Sequence, residues 1–380
     1  MTFNVAYHRH PKMQAMNRRL AMTAMGGLSI LVPFALLWAC GPSQPPETGW
    51  DPSWEVQYAD STLYFWAVSI VSEDTVWVSG TRGRVARTTD GGKSWTVFAV
   101  PEAQELQFRD VHAFSGLEAF VLSIGEGTDS RIYRTTDGGS SWELSFRNQD
   151  PNGFYDCLSF WDRDRGLAFS DSHQGEFTLL RTLDGGSSWH RLDPASIPDA
   201  RPGEGAFAAS GTCLVTRPRG LAWFGTGASG VDTRVIRTPD YGESWEEAPT
   251  PIRSTDGASG VFSLSFLDDR TGIAVGGKYN QPDSLYDDAA VTFDGGASWS
   301  LAAPTGLGGA VSGVSYLPGA PTRTLVAVSA SGGTALSQDN GESWTIFDTT
   351  SYQAVAFLGP ETGWAVGDGR ISRFRSRSRE

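Results

Sequence analysis

Cysteine, lysine and histidine are scarce in this sequence. It has 3 cysteines and 5 histidines in 380 residues, and its lysines are Lys12, Lys93 and Lys278. So few cysteines exclude a disulfide-scaffolded chain, and a protein of this length must be held by an apolar core. His112, His173 and His190 share no metal-ligand spacing, and neither HExxH nor Gly-x-Ser-x-Gly occurs. No metal site, cofactor or hydrolase elbow is therefore expected. Positive charge is also in deficit, with 30 Lys+Arg against 43 Asp+Glu. That balance is the wrong sign for a nucleic-acid binder. Long Ala/Leu/Glu/Lys helical stretches are missing, which argues against a helix bundle.

A single apolar run, residues 20–39, reaches the roughly 20 residues that span a bilayer. Arg18 and Arg19 precede it, giving the charged and apolar regions of a secretory signal. It ends in Leu37-Trp38-Ala39-Cys40, which resembles a bacterial lipobox with Cys40 as the lipidated residue. An uncleaved anchor and an ordinary cleaved signal are the alternatives. The expected organisation is a lipoprotein signal over 1–40, a Pro/Gly/Ser-rich tether over 41–53, a repeat domain over 54–374 and a flexible tail over 375–380. The location implied is the cell envelope, on its periplasmic or extracellular face. Cys157 and Cys213 remain, and two buried free thiols are expected, with pairing in an oxidising compartment as the alternative.

What the sequence has in excess is glycine and tryptophan, 45 and 14 residues, where glycine usually makes up about 7%. With 39% hydrophobic and 12% aromatic residues the chain is not disordered. The excess is periodic. An element Ser/Thr-x-Asp-x-Gly-x-Ser-Trp recurs six times, with Asp90 and Trp95, Asp137 and Trp142, Asp184 and Trp189, Asp240 and Trp245, Asp294 and Trp299, and Asp339 and Trp344. Its aspartates are 47, 47, 56, 54 and 45 residues apart. A short β run lies on each side, so the element reads as a hairpin turn. Aspartate would accept from backbone amides two or three residues on, and the later glycine would take positive φ without steric cost. Tryptophan would open the next strand and bury its ring between sheets. These aspartates and tryptophans are read as structural.

Upstream of each element lie two further strands, as in Phe262–Phe266 with Gly272–Val275. Four strands per unit of roughly 50 residues describe a propeller blade. Gly369-Arg370-Ile371-Ser372-Arg373 repeats Gly83-Arg84-Val85-Ala86-Arg87, and Ser53-Trp54 copies the start of a fourth strand. The expected fold is all-β: a seven-bladed propeller of four-stranded antiparallel blades, its last blade closed by the N-terminal strand, with six blades as the alternative.

The element matches the Asp-box, or BNR, repeat of propellers such as sialidases. Over 54–374 the blades, with Gly-Trp-Ala-Val followed by Thr-x-Asp-Gly-Gly-x-Ser-Trp, resemble photosystem II assembly-factor-like propellers. That resemblance implies a non-catalytic scaffold acting on membrane-protein subunits. The alternative is a glycan-active enzyme, sialidase-like or another hydrolase or lyase. The Arg-Ile-Pro motif of sialidases is absent, Arg82 and Arg84 standing in the first unit instead.

Gly225-Thr-Gly227-Ala-Ser-Gly230 spells a dinucleotide motif but leads into a strand, so it is set aside. Asp162-Arg-Asp164-Arg-Gly166 lacks the later glutamate of a calcium loop and reads as a turn. The candidate ligand-binding residues sit where blades begin or inner strands end, positions that converge on the axial funnel. They are Arg82, Arg109, Asp110, Asp156, Asp171, Glu204, Lys278 and Tyr279. The expected partner is a protein or polysaccharide at the cell envelope. Membrane contact is expected through the lipid anchor alone, no nucleic acid is expected, and the chain is read as a monomer.

Overall fold

The computed structural model describes residues 50–228, 230 and 232–378. The expected signal, the Cys40 lipidation site and most of the tether lie outside the described residues. The described residues are mostly β, with three short 3-10 turns. It begins with β1 (Trp50–Ile70), β2 (Val76–Gly80), β3 (Arg84–Thr88) and β4 (Thr96–Ala99). β5 (Gln107–Ala113), β6 (Ala119–Ile124), β7 (Arg131–Thr135) and β8 (Glu143–Arg147) follow. Next come β9 (Tyr155–Phe160), β10 (Gly166–His173), β11 (Glu176–Thr182) and β12 (His190–Arg191). β13 (Leu214–Arg217), β14 (Leu221–Gly225), β15 (Arg234–Thr238) and β16 (Glu246–Pro249) form the next unit. β17 (Ser259–Phe266), β18 (Gly272–Lys278), β19 (Ala289–Thr292) and β20 (Ser300–Leu301) form another. The last strands are β21 (Val311–Tyr316), β22 (Leu325–Ser329), β23 (Thr334–Ser337), β24 (Thr345–Asp348), β25 (Ala354–Gly359) and β26 (Thr362–Ser378).

These strands make six sheets, five of four strands and one of six in the order β25-β26-β1-β2-β3-β4. The expectation of seven four-stranded blades is therefore corrected to six. The cause is strand continuity. β1 pairs with β26 over Trp50–Tyr64 and with β2 over Phe65–Ile70, so its two halves belong to one sheet. Register shifts after Val56 and Ala59 bend it, and Trp364 and Val366 pack against Phe65 and Val78 across the bend. Arg375–Ser378, expected as a frayed end, lie in β26 and pair with Trp50–Ser53.

Each Asp-box joins the two strands at one edge of its sheet, and its hydrogen bonds explain the pattern. In the first box Gly92 N–H donates to Thr88 Oγ1 at 2.9 Å, and Thr88 Oγ1–H donates to Asp90 Oδ1 at 2.8 Å. Ser94 donates its amide to Asp90 Oδ1 at 2.9 Å and its hydroxyl to Oδ2 at 2.6 Å. The aspartate thus reaches the amide four residues on, further than the spacing alone implied. Gly91 and Gly92 have φ of 72° and 84°, whereas Tyr241 and Asn340 hold the first of these left-handed positions in the fourth and sixth boxes.

The core lies between successive sheets. Strands such as β2 and β22 are buried along their whole length because both faces are covered. Trp77 and Trp223 are fully buried, and their indole N–H groups donate to Ser115 O at 2.9 Å and Gly295 O at 2.8 Å in the next sheet. Cys157 of β9 and Cys213, just before β13, are joined by a disulfide across two sheets, their Cα atoms 6.1 Å apart. The expectation of free thiols is corrected: both are buried, but folding brings residues 56 apart in sequence face to face.

Candidate functional site

The long connection from β12 to β13 decides what the axial mouth contains. Its segment Glu204–Ser210 is buried or half-buried and runs across the inner ends of several sheets. Gly205 and Gly227 exchange backbone hydrogen bonds at 3.0 and 2.9 Å. Asp171 Oδ1 on β10 accepts the Ala206 amide at 2.7 Å. Arg109 Nη1 on β5 donates to Ala208 O at 2.9 Å. Gln353 Nε2, just before β25, donates to Ala209 O at 2.7 Å, and Tyr64 O–H donates to Gln353 Oε1 at 2.9 Å. Phe207 stacks on Phe262 of β17, with ring centres 4.1 Å apart and planes 13° apart, and Tyr279 meets both rings at 6.4 Å.

Both ends of the segment are fixed. Glu204 and Arg234 form a buried two-point pair, Nε to Oε1 at 2.8 Å and Nη2 to Oε2 at 2.7 Å. Thr226 donates a further hydrogen bond to Glu204 Oε1 at 2.5 Å. At the other end stands the disulfide of Cys213.

Of the sequence-predicted residues, the structure brings Arg109, Asp110, Asp156, Asp171 and Glu204 to this mouth. The Arg109 guanidinium carbon lies over the Trp66 ring, 3.3 Å from its centre. Asp110 is buried and accepts the Val111 and Leu158 amides, each at 2.7 Å. Lys278 pairs instead with Asp256 at 2.6 Å, while Tyr279 borders the Phe207 stack. Arg82 sits exposed on the β2–β3 turn with φ of 60°.

Burial governs the carboxyl groups here. It pushes Asp110 well above the usual carboxylate range, against the two amides that favour the charged form. Burial, and then the charge of Asp171, push Asp156 up, while Arg109 and the Asp171 and Ala208 amides oppose only in part. Asp156 Oδ2 has no hydrogen-bond partner. Asp171 is pushed up to about 6 by burial. Glu204 goes the other way: burial would raise it, but hydrogen bonds from Arg234, Thr226 and the Arg201 amide together pull it down. No group of three or more His, Cys, Asp or Glu side chains among the described residues is placed to hold a metal ion.

A second feature went unread in the sequence. At the other end of β13, a cleft of about 870 Å³ is lined by Arg217, Arg219, Arg270 and Arg323, with Asp268, Asp269 and Phe293. Asp269 binds Arg217, at 3.3 Å, and Arg219. Arg270 donates to Phe293 O at 3.2 Å, and the Arg323 guanidinium lies 5.7 Å from the exposed Phe293 ring. Four guanidinium groups against two carboxylates make this a basic surface on an acidic chain. The signal was available: an arginine recurs just before the second strand in Arg165, Arg219, Arg270 and Arg323, visible once the repeats are aligned on their turns.

Residues 48–155 match the family model described as photosynthesis system II assembly factor YCF48, which bears out the resemblance drawn from the repeats. A structure of YCF48 bound to a D1 peptide is similar, at 17% identity and a TM-score of 0.55, covering 88% of this chain and 99% of that one. YCF48 from Cyanidioschyzon merolae is 17% identical with a TM-score of 0.58, over 86% and 98% of the two chains. A streptogramin B lyase structure is 11% identical with a TM-score of 0.55, over 86% and 98%. What these structures share with the chain is the propeller fold. The search of curated proteins returned no match.

Proposed function

We propose that the protein is a non-catalytic, lipid-anchored binding and assembly scaffold on the extracytoplasmic side of the membrane, docking an acidic stretch of a partner polypeptide in the arginine cleft. The observation that carries this reading is the cleft itself. It offers four guanidinium groups beside an exposed aromatic ring, and Arg323 has no carboxylate partner among the described residues. Guanidinium forks suit carboxylates, and an aromatic floor suits the apolar parts of a peptide. Arg109, Asp171 and Gln353 of the mouth, by contrast, are engaged with the chain's own backbone. The similarity to YCF48, one structure of which holds a D1 peptide, supports a polypeptide partner. The Cys157–Cys213 disulfide supports an oxidising compartment, and the Arg18–Cys40 pattern supports export and lipid anchoring.

The test uses a fluorescein-labelled peptide rich in Asp and Glu, followed by anisotropy. Wild type should bind it saturably, and R270A/R323A should weaken binding by about tenfold, or 1.4 kcal/mol. Equal affinity for both proteins sinks the assignment of the cleft. For the anchor, Cys40→Ser should move the protein from the membrane to the soluble fraction.

One observation favours a second reading. The adjacent carboxyl groups of Asp156 and Asp171 are the kind of pair a glycan-cleaving enzyme uses. Turnover in an aryl-glycoside and polysaccharide screen, abolished by D156A, would replace the binding reading.

A further inference from the structure

We infer that the axial mouth is a polypeptide-binding site which the chain fills with its own segment Gly205–Ser210, and whose partner is a short segment carrying one aromatic ring between small uncharged residues. This site lies at the opposite end of β13 from the arginine cleft and does not depend on that cleft's role.

The way the segment is held carries the inference. Three side chains from three different strand regions read main-chain atoms: Asp171 takes the Ala206 N–H, Arg109 gives to Ala208 O, and Gln353 gives to Ala209 O. The Gly205–Gly227 bridge adds an edge pairing of the kind strand-adding peptides make. Contacts of this sort read main-chain atoms, here along a segment that turns where the Ala209 N–H donates to Phe207 O at 2.7 Å, and leave sequence largely free. Specificity is left to one ring, Phe207 on Phe262, and to a crowding limit on its neighbours. A Cβ at Gly205 would lie 2.5 Å from Asp171 Oδ1, and one at Gly211 would lie 2.4 Å from Asp110 Oδ1. The occupant must therefore be small on both sides of its aromatic residue, as Gly205, Ala206, Ala208, Ala209 and Ser210 are.

The fixed ends complete the picture. The Glu204–Arg234 pair and the Cys213 disulfide tie the segment at both sides and leave its middle to these few contacts. Tethering gives the segment a high local concentration, so a partner competes only when its affinity or abundance exceeds that advantage.

The probe is the synthetic octapeptide Glu-Gly-Ala-Phe-Ala-Ala-Ser-Gly, fluorescently labelled. Wild type, its mouth filled, should bind it weakly. A206P/F207A removes the N–H that Asp171 holds and the ring on Phe262, and should bind the peptide at least about tenfold more tightly. Adding R109A should return affinity to the wild-type level. No gain in A206P/F207A that still unfolds cooperatively would overturn the proposal. Should that variant fail to fold, hydrogen exchange on wild type decides. The Gly205, Ala206 and Ala209 amides should exchange by local opening at least about a hundredfold faster than those of Val121 and Leu122 on β6. Exchange of all five only on global unfolding would show the segment to be core and would overturn the proposal.

Discussion

The Asp-boxes and the axial mouth set the same side chain in opposite surroundings. A box aspartate lies at the surface and accepts hydrogen bonds from a serine hydroxyl and amide and from a threonine or serine hydroxyl. These bonds hold Asp90, Asp184 and Asp294 at about 2, despite the opposing effect of burial at Asp294. In the mouth, Asp110, Asp156 and Asp171 keep fewer donors in a drier setting, and burial wins. Donor count against desolvation, not residue type, decides which aspartates are held as anions and which bind their proton more tightly.

The largest effect should separate the regions outright. Arg234→Ala leaves Glu204 buried without its cation and should cost about 3–5 kcal/mol in urea unfolding. The double change E204Q/R234M should recover much of that loss. Next, C157A/C213A frees the end of the mouth segment and should lower stability by about 2–4 kcal/mol, with wild type falling to the same level in reductant once denatured. A box change is smaller: Asp339→Ala removes three local hydrogen bonds at a half-exposed site and should cost about 1 kcal/mol.

The pH dependence sharpens the contrast through its sign. Asp171 binds its proton more tightly folded, at about 6, than unfolded, at about 3.9. Its contribution is therefore full below pH of about 4 and is lost as pH rises through about 6. Asp184 and Asp294, near 2 when folded, contribute above about 4 and lose that contribution as pH falls toward 2. Thermal stability of wild type should accordingly weaken between about pH 4 and 6, and D171N should flatten that slope.

The two regions also differ in how far they could be read from sequence. A box repeats at fixed spacing, each of its positions has a local reason, and six boxes mark six sheets. The sheet count failed only where β1 and β26 continue through their bends, a matter of backbone continuity that no local pattern carries. The disulfide joins residues 56 apart with no shared motif. Arg109, Asp156 and Asp171 were recognisable as polar residues in odd places, but their common partner, the Gly205–Ser210 backbone, was not, because small residues advertise no contact. The arginine cleft is built from turns of three separate units and becomes visible only when those turns are superposed.

Carboxyl-carbon NMR titration of the folded protein tests the contrast most directly. Asp90, Asp184 and Asp294 should titrate near 2 and Asp171 near 6, with Asp156 above the ordinary range. A single cluster of midpoints near 4, shared by box and mouth, would contradict it.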